Sequence, residues 1–396
     1  MKYALALIAL VASPAAAKTI TVAAGDNAQE RLQSALLDAK PGDVIEIGAG
    51  RFELTDGLSL DVARVTVRGA GPDKTVLGFK GQLGAGEGLL VTSDDVVLRD
   101  FAVEDSKGDG IKSKGADRIV YKNIRVEWTG GPKETNGAYG VYPVESSQVL
   151  IDGVTVKGAS DAGIYVGQSS DIIVRNSTAS GNVAGIEIEN SRHADVTGNI
   201  ATHNTGGILV FDLPNLPRGG GGDVRVWGNK SIDNDQPNFA PKGNIVATVP
   251  RGTGVLVMAN DQVWVSDNDL SGNATANVMI ASYRNAFTDT KYNPYPRRVD
   301  VSGNRQGKAG YDPQLPGADQ LKAAFGGSLP PVLWDGAVKG ENGIRVADNV
   351  PVLSLNLAQG APLSSAKPAP ADLSKVAAMP TRGPVVLPAA MEAAAR

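Results

Sequence analysis

Lys112, Tyr142, Tyr165, Glu187, Glu189 and His203 are the residues of this chain whose types and spacing allow proton-transfer chemistry. They emerge from a phrase that recurs in the middle of the sequence, a Gly opening an alternating apolar run. Two residues after each Gly stand Lys112, Tyr142, Tyr165, Glu187, Leu209, Leu256 and Met279; four residues after it stand Lys114, Val144, Gly167, Glu189, Phe211, Met258 and Ala281. A neighbouring phrase supplies Glu104, Glu127, Lys157, Ser180, His203 and Asp233. Cations with a phenol or imidazole can neutralise a substrate carboxylate, remove the proton beside it and return one, as elimination and epimerisation require. Glu187 and Glu189 allow a different reaction. Two residues apart on one strand, they stand about 6.6 Å apart at the backbone, within the roughly 5 to 9.5 Å between the two carboxyls of a glycoside hydrolase. Glu127, Lys157, Phe211 and Asp212 flank these groups as candidates for holding substrate, with rings stacking on sugar faces. Ordinary solvent-facing positions of a repeat would look the same, and for His203, which with His193 makes up the chain's histidines, a polar corner is the plain alternative. Asp233-Asn234-Asp235 offers oxygen ligands of the kind calcium takes, and an Asn/Asp corner turn accounts for it equally well. No other cofactor or metal site is indicated.

The elements that must position these residues follow from the repeat. The Gly phrase begins at Gly110, Gly140, Gly163, Gly185, Gly207 and Gly254, spaced 30, 23, 22, 22 and 47 residues apart, with Asn277 in the same role. Between them recurs a second alternating run ending in Asn, Asp or Gly, as at Ile119 to Asn123, Ile172 to Asn176, Ala194 to Asn199 and Val263 to Asn268. A unit of 22 or 23 residues is one coil of a β solenoid, its short strands pairing with those of the next coil about 4.8 Å away. One face of each strand lines the tube, so Ile164, Val166, Ile186 and Ile188 point in while Tyr165, Glu187 and Glu189 point out. Asn123, Asn176, Asn199, Asn229, Asn268 and Asn304 read as a structural ladder, since Asn tolerates the left-handed backbone of a sharp corner and its amide can bond between coils. Long insertions at Thr129 to Ala138 and Asp235 to Gly252, with a second pair at Phe211 to Gly222 and Tyr283 to Pro296, predict a groove between walls, floored by the columns above.

Composition agrees. The chain has 48 Gly, 5% aromatic residues and no cysteine, which fits many tight turns around a core of Val, Ile and Ala and excludes disulfides and thiolate metal sites. A formal charge of -4 without a concentrated basic face argues against a nucleic-acid partner. Met1 to Ala17 has the charged start, short apolar run and small residues of a secretory signal cleaved after Ala17, so a periplasmic or secreted protein is expected. No later stretch reaches the ~20 apolar residues of a membrane span. The expected organisation is a signal peptide over 1–17, an N-terminal cap and first coil over 18–60, the solenoid over 61–314, a C-terminal cap over 315–358 and a Pro/Ala-rich, extended or partly disordered tail over 359–396. The first cap holds Leu32, Ala35, Leu36 and Ala39 at helical spacing, with Asp26 and Gln29 placed like a capping box.

Leu32 to Ala35, Gly42 to Ile45 and Gly50 to Phe52, taken with the repeats, resemble the pectin-lyase-like superfamily, within it the carbohydrate-binding and sugar-hydrolysis group, and are most similar to exported bacterial β-helix repeat proteins of unassigned activity. The resemblance spans about Thr19 to Asn304 and implies an all-β, single-stranded, right-handed parallel β-helix. The superfamily holds lyases, hydrolases, epimerases, acetylation enzymes and non-catalytic proteins. Its Asp-Pro-His-Glu epimerase motif, paired polygalacturonase aspartates and Asp-rich pectate-lyase calcium site have no counterpart in this sequence. Together these observations suggest binding or modification of an acidic polysaccharide, lyase or epimerase chemistry standing ahead of hydrolysis by the Glu pair. The competing expectation is a non-catalytic scaffold for an envelope glycan or a partner protein.

Overall fold

Strands of four to six residues that alternate Val or Ile with a polar residue can bury only one face, and here each finds its partner one coil away. The computed structural model describes residues 17–84 and 86–396, so nearly all of the segment expected to be a signal peptide lies outside the described residues. Two sheets of 12 strands and one of 10 run the length of the molecule, each joining every third strand of the chain. The Gly-phrase strands, such as Ala162–Gly167, Ala184–Glu189 and Gly206–Phe211, form one long sheet; the Asn-phrase strands, such as Ser170–Arg175 and Arg192–Thr197, form the second; shorter strands such as Thr178–Ser180 form the third. Pairing is parallel until Ala369–Ala371 closes the end antiparallel to Val352–Ser354. Inside the tube Ile164, Ile186 and Ile208 stack in register, as do Val166, Ile188 and Val210, all fully buried. Each such side chain contributes about 1.5–3 kcal/mol. No helix among the described residues is long and apolar enough to cross a membrane.

The corners explain the recurring amides, with one correction to their alignment. Asn199, Asn229, Asn268 and Asn304 form a continuous buried ladder, the side-chain oxygens of Asn229, Asn268 and Asn304 each accepting from both the backbone N–H and the amide of the residue one coil earlier. Asn123 and Asn176 are not rungs of it. They occupy the preceding corner position with φ of 51° and 52° and bond to Asp100 and Asp152, while Ser177 takes the place beneath Asn199. A second buried ladder, Asn182, Asn204, Asn234 and Asn273, runs along the corner that leads into the Gly-phrase sheet.

Both caps differ in detail from expectation. The first helix spans Ala28–Asp38 and lays Leu32 and Leu36 on the open end of the core. It has no capping box: Asn27 is the cap residue, in the left-handed region, and the Gln29 side chain accepts instead from the backbone of Thr55 and Asp56. A helix covers Ala318–Ala324, and the parallel sheets continue past it through Val332–Trp334, Arg345–Val346 and Val352–Ser354, so the coils extend beyond residue 314. The tail runs back along the outer face of the Asn-phrase sheet. Arg382 bonds to Asp223 and Asp195, and a last helix, Ala389–Ala394, ties Glu392 to Arg175 at 2.8 Å. Val385, Leu387 and Met391 bury themselves on Val120, Leu150 and Ile173. Those outward aliphatic positions give the tail its docking strip. Deleting residues 384–396 should therefore lower the urea unfolding midpoint by the equivalent of about 3 kcal/mol and raise binding of a hydrophobic dye. A variant unchanged in both measurements would show that this contact carries no stability.

Candidate functional site

The Gly-phrase columns align as the repeat predicts, with Lys112 beside Tyr142, Tyr165 beside Glu187, and Glu189 between Gly167 and Phe211. They do not form an open floor. From Tyr165 onward the outward positions are covered: Tyr165 is 4% exposed, Glu187 1%, Glu189 7% and Phe211 1%. Because Leu209, Phe211, Leu256 and Met258 make that strip apolar, the insertions lie down on it and do not stand as walls. Val246 and Val249, with Phe239 and Ile245, pack there from one insertion; Leu213, Tyr283 and Tyr292 pack from the other pair.

At the edge of this cover the side chains able to do chemistry converge. The rings of Tyr139, Tyr142 and Tyr165 lie 4.4–4.9 Å apart, centroid to centroid. Gly167 leaves room for the Tyr165 ring, since a β-carbon there would collide with it; the Tyr165 hydroxyl donates to Glu189 Oε1 at 2.8 Å. Asn244, from the covering segment, donates to Asp161 Oδ2 at 3.0 Å. On the open side Lys112 Nζ sits 3.0 Å from Glu87 Oε1, 3.7 Å from Asp109 Oδ2 and 4.9 Å from the Tyr142 ring centre.

Burial dominates the electrostatics. It pushes Asp109 up to about 6, against the pull of Lys112. Asp161 is pushed up to about 7, by burial first and by the Glu189 charge second. Glu187 rises well above the carboxylate range for want of solvent and because Asp161 and Glu189 crowd it, and its Oε2 has no hydrogen-bond partner. Glu189 is raised by burial too, although Tyr165 and Glu187 hydrogen-bond to it and pull the other way. Tyr142 is lifted to about 12 by burial and by the nearby carboxylates. The phenols are thus held neutral as proton donors, and Asp109 and Asp161 titrate near neutrality, where a general acid or base works best.

Residues 70–216 match the family model described as "Right handed beta helix region". The chain is a right-handed parallel β-helix. Among solved structures it is similar to the A-module of mannuronan C-5 epimerase AlgE4 from Azotobacter vinelandii, with 14% identity, a TM-score of 0.58, and 81% of this chain and 91% of that one covered. The A-module of the AlgE6 mannuronan C-5 epimerase from the same organism aligns with a TM-score of 0.52 and 13% identity, covering 82% of this chain and 90% of that one. By sequence, no curated protein matches it.

The β-helix separates the remaining candidates from this cluster. Glu104, Glu127, Lys157 and Ser180 stack on the third sheet, but the column then continues through Thr202 and Ile232, so His203 and Asp233 lie one residue beyond it. His203 is a left-handed corner residue, exposed, with Nδ1 2.9 Å from Asp235. Glu127 is engaged by Arg125 at 2.9 Å, and Lys157 is exposed. Asp233-Asn234-Asp235 is a corner whose middle residue belongs to the second Asn ladder. Among the described residues no group of three or more His, Asp or Glu is arranged to hold a metal. Asp212 is buried beside Phe211, accepting from the backbone of Gly220 and Gly221, and burial pushes it up to about 6. Glu187 and Glu189 both lie buried beneath the cover and not on an open floor. Asp109, Tyr139 and Asp161 complete the cluster unanticipated. Each precedes its phrase Gly by one or two residues, so the same stacking extended backwards would have found them.

Proposed function

We propose that this β-helix is an exported protein that binds an acidic polysaccharide and exchanges the proton beside its carboxylate. The observation that carries the reading is the meeting of Asp109, Lys112 and Tyr142 at the open edge of the cluster. Lys112 faces a uronate carboxylate and stabilises the charge that develops when the neighbouring C–H is broken. Asp109, ionised above about pH 6, takes that proton as base. Tyr142, held neutral, donates a proton either to the opposite face of the carbanion, giving the epimer, or to the departing glycosidic oxygen, giving an unsaturated end. Tyr165, Glu189, Glu187 and Asp161 do not face the sugar; they hold the tyrosines in place. The similarity to two mannuronan C-5 epimerase modules supports this substrate class through the fold they share.

The test is incubation with a panel of uronans in heavy water, following ultraviolet absorbance of unsaturated ends and deuterium at the carbon beside the carboxylate. Product or exchange is expected on at least one uronan, with a rate that rises through about pH 6 as Asp109 ionises. Asp109→Asn and Tyr142→Phe should each lower it by on the order of a hundredfold or more. Neither product nor exchange on any uronan, or full activity in both variants, would overturn the proposal; retained binding without turnover would favour the scaffold reading.

A further inference from the structure

The outer face of the Asn-phrase sheet changes character along the tube. Its outward column runs in unbroken register from Val120, Leu150 and Ile173 to Asp195, Arg225, Trp264, Asp300 and Arg345. The C-terminal tail seals the aliphatic half. Beside the polar half, Trp227 is followed one and two coils on by Ser266 and Ser302. A large ring succeeded by two small side chains leaves a hollow two coils long, about 9.6 Å at ~4.8 Å per coil. The hollow measures about 320 Å³, and Ala378, Met379 and Thr381 of the tail border it. That is room for on the order of ten waters at about 30 Å³ each, the bulk of a disaccharide.

Its lining suits sugar rings. Trp227 is 37% exposed, and the Arg225 guanidinium, 5.6 Å from the ring centre, fixes the indole as a platform. The C–H bonds on one side of a pyranose are weakly positive and settle on the negative face of such a ring. Trp264, which also lines the hollow, is 5% exposed, and its Nε1–H has no hydrogen-bond partner. A buried donor left unpaired is costly, and a ligand that shifts the ring and offers Nε1 a hydroxyl relieves that cost. Ser266 and Ser302 add hydroxyls to the floor.

Charge decides which sugar. Arg225 is held by Asp195 at 2.6 and 2.8 Å, and Asp300 by Arg345 at 3.0 and 3.1 Å. Asp267, exposed at the corner, makes no ion pair among the described residues. The uncompensated charge is therefore negative. It accepts hydrogen bonds from neighbouring sugar hydroxyls and repels a uronate. We propose that this hollow is a second saccharide site, on a different sheet from the acidic cluster, and that it takes a short neutral pyranose segment. It stands independently of the uronan reading.

The test titrates the full chain with cellotriose, maltotriose, laminaritriose and xylotriose while following tryptophan fluorescence, with a mannuronate trimer as control. A saturable change is expected with at least one neutral trisaccharide, at least tenfold weaker in Trp227→Ala and in Trp264→Phe. The second variant keeps most of the buried ring and removes the N–H, and circular dichroism checks that both remain folded. Absence of saturation with all four neutral sugars, saturation with the mannuronate alone, or neutral binding unchanged in both variants would each overturn the proposal.

Discussion

Asn229→Ala should lower the unfolding free energy by about 4 kcal/mol, a large fraction of the 5–15 kcal/mol typical of a folded protein. Asn229 is a middle rung of a four-amide ladder. Its Oδ1 accepts from the Asn199 backbone N–H and from the Asn199 side chain, both at 3.0 Å, and its own amide donates to the Val196 carbonyl and to Asn268 Oδ1. Alanine removes all four bonds at once, orphaning two donors on Asn199 that are buried away from water. Each orphan costs roughly 1–3 kcal/mol, and the small cavity left by the lost amide adds to it. Because each coil rests only on its neighbours, the loss is felt most by the adjacent coils. Urea titration read by circular dichroism gives the midpoint, and hydrogen exchange gives the location. Asn176→Ala serves as the contrast: it sits exposed at the corner outside the ladder, so its effect should stay near 1 kcal/mol. Equal losses for the two substitutions would mean that the ladder is not the stabilising element.

That contrast also marks where the sequence was legible. The spacing of Gly and Asn phrases revealed the solenoid and the register of the Gly-phrase columns, because a parallel coil repeats the same backbone path and a side chain's place depends only on counting. Counting fails where an element is too short to hold its phase. The third sheet's strands have two to four residues, and a slip of one moved His203 and Asp233 into a column that Thr202 and Ile232 occupy. The same slip merged Asn176 with the ladder above it. The second Asn ladder was within reach, since Asn182 and Asn204 each stand three residues before a phrase Gly. What no count could supply is the direction taken by Asp235 to Gly252. Its Phe239, Ile245, Val246 and Val249 are apolar, as are Leu209, Phe211, Leu256 and Met258 across from them, and pairing the two sets would have turned a wall into a cover. Burial of Tyr165, Glu187 and Glu189, and hence their raised pKa, follows from that one fact.

Glu187→Gln should make the protein more stable at pH 8 and leave it nearly unchanged at pH 4.5. In the folded chain Glu187 and Glu189 are raised, Asp161 is raised to about 7, and Asp109 and Asp212 to about 6; in the unfolded chain such groups ionise near pH 4. Between about pH 4 and 7 the folded state therefore holds protons that the unfolded state has released. Stability from these groups is fully present below the unfolded values and is lost as pH rises through the folded ones. Asp152, Asp195 and Asp261 act in the opposite sense, each net lowered: burial pushes them up, and hydrogen bonds from arginines outweigh it. Their gain is complete once the pH passes the unfolded values, so it leaves the slope above pH 5 to the acidic cluster. Glutamine copies the shape and neutrality of the protonated Glu187 and cannot ionise. At pH 8 it spares the fold an acid that must either keep its proton or bury a charge, a difference of roughly 2 to 4 kcal/mol by the cost of an unpaired buried charge. Urea midpoints at the two pH values measure it directly. If the variant lost stability equally at both, Glu187 would be an ordinary structural hydrogen-bonding group and the cluster would not be a destabilised site. If the expected gain appears while uronan turnover falls, the carboxyl persists in the sequence against its own stability cost. That combination is expected of a group retained to keep Tyr165 and Glu189 in their working positions beneath Tyr142.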